Sequence, residues 1–385
     1  MRLSYCTNVH PAEDLAGIIE QLDTHGRSVR ELAGLDVLGV GLWLPGAVAR
    51  QLADSAIDRA ALSVALHRNG LELTTVNAFP AASFHAPVVK KDVYRPDWTD
   101  PSRLQYTLDC AAVLADLAPP GIMPSLSTLP LGWRTGWSAE HDAAATAAMA
   151  RLNDGLAGIR DRTGVVVRVG IEPEPGCILD RFADIVTWLR ARPSLVEPGF
   201  LGICLDTCHM AVSLADPVPT IGLAVEAGIP IVKVQASAAL ELTNPSDPAG
   251  LAAVAEFAEA RYLHQVRMLR PDGVVQQADD LVDVLAAPSD WFSAPWRIHV
   301  HVPLHHQPVA PLRATTEVLI AALDAALQTP GGMDAQLDIE TYGWSVLPPA
   351  CQADTLAEGI AAEVRWAVEH LGHALDTLST TGGHR

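Results

Sequence analysis

The chain has 385 residues, 49% hydrophobic and 18% charged, a globular composition that excludes an intrinsically disordered protein. Its 26 basic and 45 acidic residues leave a net charge of −19, and no Lys/Arg cluster forms a basic cleft, so no nucleic-acid partner is expected. No uncharged apolar run is long enough to span a membrane, and the start MRLSYCTNVHPAED lacks a signal-peptide core, so a cytoplasmic location without direct membrane insertion is expected.

In chain order, apolar strand-like runs alternate with Ala- and Leu-rich stretches at helical spacing. The run 3–9 (LSYCTNV) precedes a helix over 11–25, and 35–44 (LDVLGVGLWL) precedes one over 56–70. The run 71–79 (LELTTVNAF) leads into a long loop, 80–100, and a helix over 101–118. Then come 121–129 (GIMPSLSTL) with a helix over 143–164, and 165–171 (VVVRVGI) with a helix over 181–192. The later runs are 200–206 (FLGICLD), 230–237 (PIVKVQAS), 297–303 (RIHVHVP) and 335–342 (AQLDIETY). Helices are expected over 315–329 and 355–378. Gly70 and Gly164 end helices just before the next strand.

This alternation predicts parallel βαβ units. No GxGxxG fingerprint follows an early strand, which disfavours a doubly wound dinucleotide fold. Polar residues at many strand ends instead match the C-terminal face of a barrel. The expected fold class is α/β, a (β/α)8 TIM barrel forming a single domain over 1–385, with an extra C-terminal helix. Nine strand candidates exceed eight by one, and an insertion between late strands at about 238–296, at the barrel mouth, absorbs the surplus. The six dispersed cysteines read as reduced thiols, not as a disulfide framework.

Four of the runs end in acids or histidines. Glu172 follows 165–171, and Glu174 lies two residues on, pointing the same way in an extended chain; Pro173 and Pro175 stop the strand. Glu174 is either an outer partner or a solvated charge. Asp206 ends its run with His209 three residues later, a spacing that lets both approach one ion. His299 and His301 alternate in an apolar strand and so face one side, where a buried pair is costly without a ligand. Glu340 ends the last run, and Asp338, two residues earlier, can accept a hydrogen bond from a histidine.

Mixed oxygen and imidazole donors suit a divalent ion, Mn²⁺ or Zn²⁺ foremost, with Mg²⁺, Co²⁺ or Fe²⁺ also in range. Asn8, His10, Asn77 and His85 follow early strands and can complete a pocket. Tyr342 and Trp344 either stack on a ligand or pack against the C-terminal helices. Lys90, Lys91 and Arg134 lie near the expected mouth and either bind an anionic group or are ordinary surface charges.

The ordered motifs ExxxG, LDTCHM, HxH and ET resemble those of the xylose isomerase-like barrels, which include sugar epimerases and the endonuclease IV type of nuclease. The resemblance implies a metal site on Glu172, Asp206, one or both of His299 and His301, and Glu340. It also implies that His209 contacts substrate. Over nearly the whole chain, LSYCTNVHPAE, FHAPVVKKDVYRPDW, STLPLGW, KVQASAAL, HVHVP and IETYGWSVLP resemble the metabolite traffic protein EboE family. That family is xylose isomerase-like and associated with export or processing of secondary metabolites. One position departs from the pattern: PIVKVQAS carries Gln235 where related barrels commonly have a metal-binding His.

The expected function is therefore a metal-dependent isomerase or epimerase acting on a small polyhydroxylated or carbonyl-bearing metabolite. Glu172 and Glu340 are its candidate acid/base pair, and His209, Gln235, Asn8, His10, Asn77, His85 and Trp344 its candidate substrate contacts. A carrier that binds a metabolite without turnover is the alternative suggested by Gln235. Phosphodiester cleavage ranks behind both, because it needs a basic groove.

Overall fold

The computed structural model describes residues 1–375. The end of the expected C-terminal helix, 376–378, lies outside the described residues.

Seven strands alternate with helices along the first part of the chain: β1 (Leu3–Cys6), β2 (Leu38–Trp43), β3 (Leu71–Asn77), β4 (Ser125–Thr128), β5 (Arg168–Ile171), β6 (Leu201–Asp206) and β7 (Ile231–Ala236). Five short strands follow: β8 (Leu240–Leu242), β9 (Val266–Leu269), β10 (Val275–Ala278), β11 (Trp296–Ile298) and β12 (Leu312–Ala314). The last is β13 (Gln336–Ile339). β1–β7 and β13 form a closed barrel in the order β1-β13-β7-β6-β5-β4-β3-β2, with every pairing parallel. The architecture is a (β/α)8 TIM barrel.

Strands buried on both faces need consecutive apolar residues, and every position of β2, β6 and β7 is buried. The helices start at side-chain caps: Ser55, Ser138 and Thr355 each accept a hydrogen bond from the backbone N–H three residues on. Each such cap contributes about 1 kcal/mol. Gly164 ends the long helix Ala139–Thr163 in the left-handed region at φ 76°.

The barrel interior holds a polar layer beneath the mouth. Lys233 Nζ lies 3.0 Å from Asp338 Oδ2, and Ser4 Oγ donates to Asp338 Oδ1 at 2.7 Å. Asp338, expected to serve a histidine, pairs with this lysine instead. Register explains the difference: Asp338 sits beside Gln235, and Lys233 is two residues away on the same strand face. The carboxylate fits there because β2 supplies Gly41, where a Cβ would come within 2.3 Å of Asp338 Oδ2.

The second correction concerns 297–303, which reads as a barrel strand. Only Trp296–Ile298 is a strand, and it pairs antiparallel with β8 and β9 in a separate sheet of order β10-β9-β11-β8-β12. The barrel is closed by β13, so the surplus run is the histidine-bearing one itself, and its histidines lie past the end of β11. Elements of the added sheet run from Leu240 to Ala314. Past β11 the chain runs back over the barrel: His299 N bonds Gln265 O and Val302 N bonds Ala238 O, both at 2.9 Å.

Among the described residues, no helix is long and apolar enough to cross a membrane. All six cysteines are free and buried.

Candidate metal centre

A pocket of about 520 Å³ opens at the C-terminal ends of the barrel strands. Its polar lining is Asn8, Asn77, Lys90, Tyr94, Glu172, Glu174, His209, His299, His301 and Glu340, and its apolar lining includes Phe79, Phe84, Tyr262 and Tyr342. Residues from seven places in the sequence thus meet at the face where barrels of this type place their chemistry.

Local structure fixes each donor. Asp206 caps the short helix Thr207–Val212: its Oδ1 accepts the His209 N–H at 2.9 Å, so strand-end acid and first-turn histidine are locked together. Ser237 Oγ donates to the same oxygen at 2.9 Å. The β6–β7 register sets Asp206 opposite Gln235. Gln235 Nε2 then reaches Glu172 Oε1 at 3.2 Å and Asp206 Oδ2 at 3.3 Å, and also donates to Glu340. Asn8 and Asn77 donate to Glu340 Oε1 at 2.8 and 2.7 Å.

Glu172, Asp206 and Glu340 bring one oxygen each within 4.8 Å of one another, all buried. Glu172 Oε2 is buried with no hydrogen-bond partner. Burial pushes the Glu172 carboxyl up, and the neighbouring Glu340 and Asp206 add to this. Burial, then Asp206, raises Glu340 to about 8 against the counter-pull of Lys233. Burial opposes ionisation of Asp206 too, yet the His209 and His301 rings and the hydrogen bonds from His209 N–H and Ser237 hold it below its usual value. Three crowded carboxyls with one lysine beneath them form a donor set short of positive charge, which is what a divalent cation supplies.

The histidines sit beside this cluster. His301 Nδ1 bonds Glu340 O at 2.7 Å, leaving its buried Nε2 with no partner. Asp206, His209 and His301 form a second group with ligand atoms within 4.8 Å. Burial lowers His209 to about 4 and depresses His299 and His301 as well, so the rings are neutral near pH 7 and carry lone pairs.

The other expected site residues divide. His85 does not line the pocket but bonds Asn8 O at 2.8 Å and supports it from outside. His10 is not brought to the site: it stacks on His25 at 4.9 Å and meets Tyr5 OH at 3.3 Å. Trp344 also lies elsewhere, donating its indole N–H to Glu363 at 3.1 Å, while Tyr342 lines the pocket. Lys90 is held by Asp280 at 2.6 Å, and Lys91 and Arg134 both face Asp279, so each cation of the mouth already has a carboxylate.

Glu174, which the sequence leaves open, is buried in the pocket and accepts from Tyr94 OH at 2.8 Å. Its signal was the two-residue spacing from Glu172. Tyr94, Tyr262 and Phe84 carried no readable signal, since they arrive on loops far along the chain.

No protein-family profile matches the chain, and no curated protein matches it. Solved structures do resemble it. One is a xylose isomerase-like TIM barrel protein from Mycobacterium smegmatis in complex with magnesium, with 14% identity over 97% of this chain and 98% of that one, TM-score 0.52. Another is D-allulose 3-epimerase from Methylomonas sp. in complex with D-allulose, with 13% identity over 96% of each chain, TM-score 0.52. A third is the IOLI protein with a zinc atom, with 12% identity over 98% of this chain and 100% of that one, TM-score 0.50. At these identities the likeness is one of fold alone, the (β/α)8 TIM barrel.

Proposed function

We propose that this chain is a divalent-metal-dependent isomerase or epimerase-like protein acting on a small polyhydroxylated or carbonyl-bearing metabolite. The observation that carries the reading is the convergence of Glu172, Asp206 and Glu340 on one buried point at the pocket floor, with Glu172 Oε2 unpartnered. Similarly folded proteins hold magnesium, zinc or D-allulose, which supports it. The resemblance to the EboE family supports a place in secondary-metabolite biosynthesis or export.

Glu172, Asp206 and Glu340 would hold the ion, with His301 or His299 as the nitrogen donor that β7 lacks. Of the two, the unpartnered Nε2 and the grouping with Asp206 favour His301. Mn²⁺ or Zn²⁺ suits this set best, and Mg²⁺, Co²⁺ or Fe²⁺ is also in range. When bound, the ion polarises substrate oxygens and stabilises negative charge that develops on them. Glu172 and Glu340 line the pocket from β5 and β13, so one can take a proton beside a carbonyl and the other return it. Asn8 and Asn77 fix the orientation of Glu340, and Asn8 Oδ1, buried without a partner, is free to accept from a substrate hydroxyl. Phe79, Phe84, Tyr262 and Tyr342 give the pocket apolar walls that limit water.

The test is solvent exchange. Metal-loaded protein in deuterated water, offered a panel of ketoses and keto acids, is expected to place deuterium at a carbon next to a carbonyl. Absence of exchange across the panel from protein that holds its metal would overturn the catalytic reading.

One observation favours a carrier that binds without turnover: Gln235 Nε2 already donates to Glu172, Asp206 and Glu340. A neutral amide can neutralise such a cluster only weakly. The carrier reading predicts metabolite binding that is indifferent to chelation.

A further inference from the structure

Next to the metal pocket lies a second cavity of about 760 Å³, formed by the segments that follow β3 and β4. Tyr94 lines both cavities and stands between them. That partition is held on two sides. The Tyr94 hydroxyl donates to Glu174 at 2.8 Å and accepts from Gln265 Nε2 at 3.2 Å, while its ring stacks on Trp133 with centroids 5.0 Å apart. Two indoles, Trp133 and Trp137, line the second cavity. They are seated by Gly176 and Gly132, where an added Cβ would run into the ring.

Counting hydrogen bonds around this cavity leaves donors without acceptors. Nε1 of Trp133 and Nε1 of Trp137 are buried with no partner, and an indole N–H can only donate. Among the described residues, Arg95 lines the cavity and its guanidinium makes no ion pair and no hydrogen bond. Lys91 lines it as well, with its ammonium 4.5 Å from the centre of the Trp133 ring and 3.5 Å from Asp279. His141 Nδ1 accepts the Ser138 N–H at 3.1 Å, so in the neutral ring Nε2 carries the proton and is a further donor. His141 sits in the first turn of the helix Ala139–Thr163, which adds the positive end of its dipole to the rim. Asp97 is the one carboxylate of the lining, and its Oδ1 is committed to the Thr99 N–H at 2.9 Å and the Thr99 hydroxyl at 2.5 Å.

A cavity walled by donors and two cations stands out in a chain of net charge −19. We propose that it is a second ligand site, taking the carboxylate or phosphate group of a small metabolite. The planar guanidinium of Arg95 offers such a group two parallel hydrogen bonds, and the indoles flank it with flat apolar faces. Because Tyr94 is held from both sides, the ligand is a separate molecule and not the far end of one bound at the carboxylate centre. Its occupant meets the ring whose hydroxyl bonds Glu174, so the two cavities share one side chain. The site does not depend on the metal-dependent reading above.

The experiment is indole NMR on the full chain labelled with nitrogen-15 tryptophan. Trp133→Phe and Trp137→Phe assign the two signals among the nine tryptophans. Three probes share a sugar ring and differ at its end: glucose 6-phosphate, glucuronate and glucose. One or both anionic probes are expected to shift the Trp133 and Trp137 signals, and glucose is not. The anion that binds more tightly identifies the group as phosphate or carboxylate. Arg95 is exposed, so Arg95→Gln should fold normally and weaken that binding about tenfold. Glu172→Gln, in the other cavity, should leave it unchanged. No shift of either signal with either anion overturns the site, as does an equal response to glucose. A response that Arg95→Gln does not weaken overturns it too. So does one that Glu172→Gln abolishes, which would put the probe in the metal pocket. None of these results touches metal binding at Glu172, Asp206 and Glu340, so the two readings fail separately.

Discussion

Gln235 on β7 donates its amide nitrogen to Glu172 at the end of β5, 3.2 Å away across the barrel floor. The same nitrogen reaches Asp206 and Glu340, so one neutral side chain ties together three acidic ones. An amide N–H competes for the lone pairs that a cation needs, and the amide must turn over to offer its oxygen. Gln235→His is therefore expected to tighten Mn²⁺ or Zn²⁺ binding by about tenfold, roughly 1.4 kcal/mol. Calorimetric titration of the two proteins measures it. Unchanged affinity would mean that position 235 does not face the ion.

The crowded carboxyls set a pH dependence. Glu340 is raised to about 8 in the folded, metal-free chain from 4.5, and Glu172 and Glu174 move the same way. A raised folded-state value means the folded protein holds its proton more tightly, so the stability this gives is present at low pH and lost as pH rises through the folded value. His209 works oppositely, but its window, from about 4 to 6.5, closes below neutrality. Between pH 6.5 and 8 metal-free protein should lose melting temperature. Metal should restore it, and more so at pH 8 than at pH 6.5. A metal-free melting temperature that climbs over that interval contradicts the assignment.

Lys233 and Asp338 are both fully buried, 3.0 Å apart. Replacing the lysine leaves an uncompensated carboxylate in the barrel interior. Lys233→Met is expected to cost about 3–5 kcal/mol in denaturant unfolding, and Lys233→Met with Asp338→Leu substantially less. Equal losses in the single and double variants would show that the pairing is not what matters.

Trp344 and His10 sit outside the pocket, so their replacement separates stability from binding. Trp344→Phe removes the indole donor of buried Glu363 and should cost about 1–2 kcal/mol of stability. Metal content should not change. A loss of bound metal in that variant would place Trp344 in the site after all.

Much of this was legible from sequence. All eight barrel strands lie within apolar runs, and Glu172, Asp206, His209 and Glu340 could be located because each lies within three residues of the end of such a run. The HVHV segment was misread because a two-residue alternation identifies an extended chain, not its partner strand. The strand just before it, Trp296–Ile298, pairs with residues 240–242 and 266–268, distant positions with no readable complementarity. Glu174 was ambiguous for a similar reason: its burial depends on Tyr94 and Gln265, which arrive from other loops. His10 reads as a candidate substrate contact, but the 3-10 turn Thr7–Val9 follows β1 at once and places it against His25.

The central claim is that Glu172, Asp206 and Glu340 hold a divalent ion at the pocket floor. Crystals soaked in Mn²⁺ and measured for anomalous scattering test it most directly. A strong anomalous peak is expected within coordination distance of all three carboxylates, with the Gln235 amide turned over or displaced. A map without a peak there, with Gln235 still donating to all three, would contradict it.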